Sequence, residues 1–443
     1  TVNLLGNYVT PNVFDPANEP PSLYEPVYWR DNAGLLWIYG GYHQSPFKVV
    51  FTQMWCYNPY INQWKMVKDF TNSPNYGIKG VPAATNSPGA RTFCCPAWVD
   101  NNGKFWLFSG MDYSYGDYCD DMWMYDPITG FWTWMHGSNQ FASANAVYGV
   151  KGVPSPANSP GQRAECYSSW CDANGDFWIF GGQSYSTVAS QANFNDMWRF
   201  STTTNEWTWI SGANVANVAP VHGTLGVAAP TNNPGARAEC KSGWVDDNNN
   251  LWMFGGQDGV TMAQGVNVRN DMWKYDITTN EWTWMKGANT INNNGTFGTK
   301  GVEAANNNPP ARLSFTKWKG KDKSFYVFAG GNAASARNDL WRFNPFTNNW
   351  TWISGMQTQN NQGTYSGYCD PDPIKYPSAR IENQTVATST CTEIFWSFGG
   401  FKTIQNTQSF NDLWLYNLTT NKWTWVSGSQ ATNINPNPGP IGV

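Results

Sequence analysis

ARTFCCPAWVDNNGKFWLFSGMDYSYGDYCDDMWMYDPITGFWTWM, residues 90–135, holds in one stretch the pattern that organises the whole chain. It contains four short runs: ARTFCCPAWV (90–99), KFWLFSG (104–110), DMWMYD (121–126) and FWTWM (131–135). Each alternates with a period of two and is rich in aromatic and branched residues, which is strand chemistry. Asp-Asn-Asn-Gly (100–103) separates the first two runs, and Asp-Pro-Ile-Thr-Gly (126–130) the last two. These residue types tolerate left-handed backbone and bond their own main chain, so both segments read as tight turns. A calcium loop is the weaker reading of Asp-Asn-Asn-Gly, because such loops need a longer series of oxygen ligands. The four runs predict strands A to D of one antiparallel sheet.

The same unit recurs six times. Strand B and its glycine pair read LWIYGG, FWLFSG, FWIFGG, LWMFGG, YVFAGG and FWSFGG, ending at Gly41, Gly110, Gly182, Gly256, Gly331 and Gly400. Strand C brings Trp55, Trp123, Trp198, Trp273, Trp341 and Trp414, and strand D follows nine residues later each time, with Trp64, Trp132, Trp207, Trp282, Trp350 and Trp423. A spacing that rigid requires a fixed hairpin. No helical period appears at useful length. Six four-stranded sheets, none able to bury both faces alone, close most simply into a propeller.

The glycine pair, the aromatic four-strand rhythm and the outer-strand tryptophan resemble the kelch repeat. The resemblance covers roughly residues 19 to 428 and implies an all-β, six-bladed β-propeller of four-stranded antiparallel blades. Blades are expected at about 19–68, 88–136, 160–211, 234–286, 309–354 and 377–427, between an N-terminal extension (1–18) and a C-terminal tail (429–443). All 27 Trp fall inside the repeat frame. Large rings wedged between blades are their expected use, since each buries ~150 to 250 Å². The second Trp of the W-T-W pairs has two readings, core packing or an exposed outer-edge surface.

Composition bounds the function. Charged residues are 13% and net charge is -4, with no basic run of the kind that neutralises nucleic-acid phosphates. No stretch reaches the ~18 to 20 apolar residues of a membrane span. A surface built from Asn, Thr, Ser and Gly is familiar in secreted proteins, and a first residue Thr1 is read as a removed targeting peptide or a fragment boundary. Nine Cys with no CxxC argue for disulfides and an oxidising, extracellular location. The candidate pairs are Cys369–Cys391, Cys166–Cys171 and Cys95–Cys119, and an odd count leaves at least one unpaired or paired with another chain. Sequons at Asn294, Asn349, Asn383 and Asn417 are glycosylation candidates, although Asn349 falls inside a strand.

Arg91, Arg163, Arg237, Arg312 and Arg380 each open strand A and are expected at one mouth of the central channel. Kelch resemblance implies contact with an acidic peptide there. The architectural alternative is a tie to the repeated Asp of NDMW or NDLW in a neighbouring blade. The first repeat departs, with Ser22 near the equivalent place. Long connections of strands B–C and D–A gather on one face, the expected binding surface. Two segments depart most from the repeat, MDYSYGDYCD (111–120) and MQTQNNQGTYSGYCDPDP (356–373), with Tyr113, Tyr115, Tyr118, Tyr365 and Tyr368 as contact candidates. Packing beneath neighbouring loops is the equal alternative.

The expected function is a non-catalytic interaction or assembly module whose partners are other proteins, copies of itself, or glycans. No cofactor or metal is expected. The rival readings are a glycan-binding lectin-like propeller or an enzyme, above all a copper oxidase resembling galactose oxidase. That chemistry needs a histidine pair with tyrosines, and His43, His136 and His222 are scattered through three repeats.

Overall fold

Every repeat folds into one sheet made from contiguous sequence, with strands in the order A-B-C-D and each neighbour antiparallel. The chain is a six-bladed, all-β propeller. The computed structural model describes residues 6–43, 49–93, 96–112, 117–139, 145–165, 168–184, 192–240, 242–260, 265–365, 367–388, 393–405 and 408–433, and no helix occurs among them.

The chain divides into two units, the first carrying blades one to three and the second, Asn217–Pro436, blades four to six. In the first, blade one comprises Val27–Arg30, Leu36–Tyr39, Gln53–Asn58 and Gln63–Asp69. Blade two comprises Ala97–Val99, Phe105–Phe108, Met122–Asp126 and Phe131–His136. Blade three comprises Ser168–Cys171, Phe177–Phe180, Met197–Ser201 and Glu206–Ser211. In the second, blade four comprises Trp244–Val245, Leu251–Asp258, Val268–Asp276 and Glu281–Lys286. Blade five comprises Thr316–Lys319, Phe325–Phe328, Leu340–Asn344 and Asn349–Ser354. Blade six comprises Ile381–Thr388, Ile394–Phe401, Leu413–Asn417 and Lys422–Ser427.

The nine-residue spacing has a local cause. Asn62, Gly130, Asn205, Asn280, Asn348 and Asn421 occupy the same place in the six C–D turns, all with φ between 52° and 73°. Asn and Gly are the residues that enter this left-handed region at least cost. A second repeated kink disturbs the start of strand A. Glu25, Phe93, Glu165, Glu239, Ser314 and Glu382 are all left-handed, at φ 48° to 55°. This kink interrupts ladder pairing, so blade two begins strand A at Ala97 instead of residue 90.

Adjacent blades are joined through the glycine pair. The amides of Gly41 and Gly110 donate to the carbonyls of Arg91 and Arg163 in the following blade, at 2.8 and 3.2 Å. Gly256 and Gly330 do the same to Arg312 and Arg380, at 2.9 and 3.0 Å. A side chain on Gly40 would place its Cβ 2.6 Å from the Arg91 carbonyl oxygen, in backbone with φ +69°. That joint is why the glycines recur.

Aromatic rings fill the wedges as the sequence implies. Trp29 stacks on Phe105 and Trp98 on Phe177, with centroids 5.4 and 4.8 Å apart. In the second unit Trp244 stacks on Phe325 and Trp318 on Phe395, at 5.1 and 4.0 Å. The first Trp of strand D packs on the last aromatic of strand B in the preceding blade, as Trp207 does on Phe108. Offset stacks of this kind add to the hydrophobic gain from burial.

The D–A connections correct the sequence reading. They are not free loops on one face. Each runs along the outer edge of the next blade before turning inward to that blade's strand A. Ala83 bridges Trp132, Ser155 bridges Trp207 and Asp372 bridges Trp423. In blades four and five the contact lengthens to the paired segments Ala228–Ala229 and Glu303–Ala304. These straps cover strand D, whose unpaired edge would otherwise be open to pairing with another chain. An asparagine fastens them: Asn158 Nδ2 donates to the carbonyls of Val153 and Trp207, both at 3.0 Å. Asn86, Asn232 and Asn307 repeat this clip. So does Asn18, and Asp15 bridges Trp64, so residues 6–18 are the strap of blade one and not an extension.

Candidate functional site

The five repeated arginines are placed first, because their position was expected to be a contact ring. All five are buried, at 0 to 1% exposure. Arg380 makes a two-pronged pair with Asp412, Nη1 to Oδ1 at 2.8 Å and Nη2 to Oδ2 at 2.7 Å. It also donates to the carbonyls of Ser378 and Gly399, and its guanidinium lies over Phe410. Arg163–Asp196 and Arg312–Asp339 repeat the two-pronged geometry, and Arg91–Asp121 and Arg237–Asp271 form single close contacts. This is a correction on two counts. The guanidiniums are enclosed, not displayed at a mouth. Each side chain ties its own blade together, and the main chain reaches the neighbour, its carbonyl accepting from the glycine pair and the amides of Arg163, Arg312 and Arg380 donating to Ser109 Oγ and to the carbonyls of Arg269 and Arg337.

Burial alone would push the Asp412 carboxyl up. Arg380, then Tyr365 and the Trp414 indole, hold it below the ordinary carboxylate range. In all five pairs the strand-C indole donates to the same aspartate, as Trp414 does at 2.7 Å. Blade one lacks both partners. Leu23, one residue beyond Ser22, takes the arginine position, fixed by the equivalent bridges of Tyr24 and Thr92. Gln53 takes the aspartate position and accepts from Trp55 Nε1 at 2.9 Å. The pair has been exchanged as a unit, leaving no buried charge behind.

Tyr365 and Tyr368 belong to the same repeated framework, which corrects their reading as adaptable contacts. Tyr76, Tyr148, His222, Phe297 and Tyr365 each pack between the strand-C Trp and the second strand-D Trp. Lys79, Lys151 and Lys300 then cover that second Trp at 4.2 to 4.4 Å and donate to the carbonyls of Gly137, Gly212 and Gly355. Tyr368 substitutes for the lysine in blade six, over Trp425 and donating to Gly428. The W-T-W pairs are therefore covered from outside and are not a bare edge.

Tyr118 is half-buried on Asp117–Tyr118, which pairs with Met111–Asp112. Tyr113 and Tyr115 lie outside the described residues. Cys171 and Cys369 stand as thiols, Cys171 pushed up to about 11 by burial and then by Asp172, while Cys119 is buried. Their expected mates Cys166, Cys391 and Cys95 lie outside the described residues, so the pairings gain no support. Asn294 is exposed on a strap. Asn349 opens strand D of blade five and accepts from Lys286, and Asn417 accepts from Thr419 and Thr420 in a C–D turn. The side chain of Asn383 lies outside the described set.

The A–B aspartates are turn-formers. Asp100 accepts from the amides of Asn102 and Lys104 and from Trp106 Nε1, all within 2.9 Å. His136 is buried and held down to about 4 by that burial and then by Lys79, and its Nδ1 accepts from Gly137. No group of three or more His, Cys, Asp or Glu able to hold a metal occurs among the described residues.

Two features escaped the sequence reading. Glutamate stands two residues after arginine in Arg163-Ala-Glu165, Arg237-Ala-Glu239 and Arg380-Ile-Glu382, always at the left-handed kink. The signal was there as R-x-E. Arg269 and Arg337, two before the repeated Asp, are also buried. Arg269 pairs with Asp258, whereas Arg337 reaches the Gln357 carbonyl at 3.4 Å and is lowered to about 10 by burial.

One departure from the repeat, Lys402, lies in blade six. Against the 356–373 segment sits a cavity of about 250 Å³, lined by Asn360, Asn361, Gln362, Lys402, Phe410 and Thr432 among others. Amides and one lysine line it, without an acidic side chain. Lys402 stands at the strand-B position held by Asp258 in blade four, so the departure is one of charge as well as shape.

Residues 226–434 match the family model described as the KLHDC2/KLHL20/DRC7 Kelch-repeats domain. No curated protein matches the chain.

Proposed function

Because this chain is a kelch-repeat β-propeller, a fold that serves as a protein-interaction module, we propose that it is a non-catalytic module working outside the cell, with a protein partner held at the blade-six cavity and the B–C connections beside it. One observation carries this reading. The recurring ionisable groups are spent inside the blades, while Lys402, which breaks the repeat, lines an open recess of about 250 Å³ among asparagine and glutamine amides. Sites with a few convergent polar groups in a concave setting are the usual binding places of a rigid scaffold.

The partner contact rests on amide donors and a lysine, so it favours acceptor groups such as backbone carbonyls. Low charge, the polar surface and the exposed sequon at Asn294 support the extracellular placement. The test is photo-crosslinking from a probe residue placed at Gln430, with the crosslinked protein identified by mass spectrometry. A single partner that is lost in Lys402→Glu, with the melting temperature unchanged, supports the reading. Crosslinks that persist in Lys402→Glu refute it.

A further inference from the structure

The position two before the repeated aspartate is Phe194 in blade three, Arg269 in blade four, Arg337 in blade five and Phe410 in blade six. The two phenylalanines lie under the guanidiniums of Arg163 and Arg380, at 3.8 and 4.7 Å. Blades four and five therefore hold a second guanidinium where blades three and six hold a ring. In blade four the charges balance. Arg237 has Asp271, and Arg269 has Asp258 at the end of strand B. Asp258 Oδ2 takes Arg269 Nε, while its Oδ1 accepts from Val260 N at 3.0 Å.

In blade five they do not. Both oxygens of Asp339 are taken by Arg312, at 2.8 and 2.7 Å. Arg337 is 5% exposed, and its Nη1 reaches the Gln357 carbonyl at 3.4 Å. Asn332 stands where blade four has Asp258. Asn332 N donates to the Ser335 carbonyl and Arg337 N to that of Gly330, as Asp258 N donates to Asn267 and Gly256 pairs with Arg269. The Asn332 Oδ1 is spent on its own turn, accepting from the amides of Ala334 and Ser335 at 3.1 and 2.9 Å and from Ser335 Oγ at 2.9 Å. Among the described residues no carboxylate pairs with Arg337.

A buried guanidinium without an anion is costly, and its planar fork matches the two oxygens of a carboxylate. Burial lowers Arg337 to about 10 despite the pull of Asp339, which still leaves it a cation at neutral pH. Asn332 is half-buried and Ala334 at the tip of its turn is exposed, so the place opens near the surface. Asparagine there also carries no negative charge to repel an anion. We propose that blade five binds a small free carboxylate, of formate or acetate size, at Arg337, standing where the Asp258 carboxylate stands in blade four.

Asn332→Asp supplies the carboxylate from within, and Arg337→Phe restores the ring of blades three and six, so each variant carries a side chain this architecture already uses there. Urea midpoints of wild type and both variants are compared at neutral pH in sodium chloride and in sodium formate of equal ionic strength. General salt effects are common to all three chains, so a difference in response reports the site. For a dissociation constant of ~10 mM, ~100 mM formate should raise the wild-type folding constant on the order of tenfold. Neither variant should show that gain, and in chloride Asn332→Asp should be more stable than wild type. Equal formate gains in all three chains overturn the proposal, as does no gain in wild type. Pentaglutamate at the same carboxylate concentration should add less than formate, because the guanidinium is enclosed. A larger gain with the peptide overturns the assignment to a free anion and places the carboxylate on a protein partner.

Discussion

Replacing Arg380 with leucine removes one half of a fully enclosed ion pair. Both side chains are 0% exposed, so Asp412 would remain buried with only Tyr365 and Trp414 donating to it. Breaking a buried pair by removing one partner costs about 3 to 5 kcal/mol. Two carbonyls, of Ser378 and Gly399, also lose their donor. Blade one shows how the molecule itself solves the problem, with Leu23, Gln53 and Phe51 where blade six has Arg380, Asp412 and Phe410. The double change Arg380→Leu/Asp412→Gln reproduces that arrangement and keeps an acceptor for the Trp414 indole. It should cost about 1 to 2 kcal/mol, the part owed to the two carbonyls. The assay is urea denaturation followed by tryptophan fluorescence, run on both single variants and the double. A double variant as unstable as the sum of the singles would refute the reasoning, because the loss would then not come from a stranded charge.

Tyr148→Phe deletes a 2.8 Å bond to Asp196 but keeps the packing on Trp198 and Trp209, as Phe297 does in blade five. It should lower stability by about 1 to 2 kcal/mol in the same denaturation assay. Asn158→Ala opens both bonds of a strap clip, at about 1 to 3 kcal/mol, and should make the strap of blade three the first site of limited proteolysis. Asp271, Asp339 and Asp412 are all held below the ordinary carboxylate range, after burial, by their arginines, so stability present above about pH 4 should fall away as pH drops further. Circular dichroism midpoints from pH 7 to 2 measure it, and Arg380→Leu/Asp412→Gln should lose less. Exposed Cys369 should react with a thiol reagent in the folded protein, whereas Cys56, fully buried and pushed up to about 12 by that burial against the lowering pull of Lys65, should react only on unfolding.

The blades were legible because their signals are local and repeated. The fixed interval from Trp123 to Trp132 reports one left-handed turn residue, and the glycine pair reports a backbone-to-backbone approach that no side chain fits. Straps were illegible for the opposite reason. A two-residue pairing such as Ala228–Ala229 has no period to detect, and its bonds span some fifty residues. The five arginines were found, but their enclosure depends on Asp121 and its counterparts folding back from strand C, a contact that spacing alone leaves open. Tyr365 looked like an anomaly because Ser366 interrupts the Tyr-Gly step seen at Tyr76 and Tyr148. Its partners show it to be the ordinary member of the series.

The straps also settle what the heritable piece of this molecule is. Each one seals the edge of the blade it leads into, so the transferable segment runs from a strap through the strand D that it covers. Chain breaks made just after strand D should hand over whole segments in a circular permutant. A break between strap and strand A would leave a sheet with its guard tethered elsewhere. Duplicating or deleting such a segment would keep every outer edge closed, which makes blade number the easiest feature of this architecture to change.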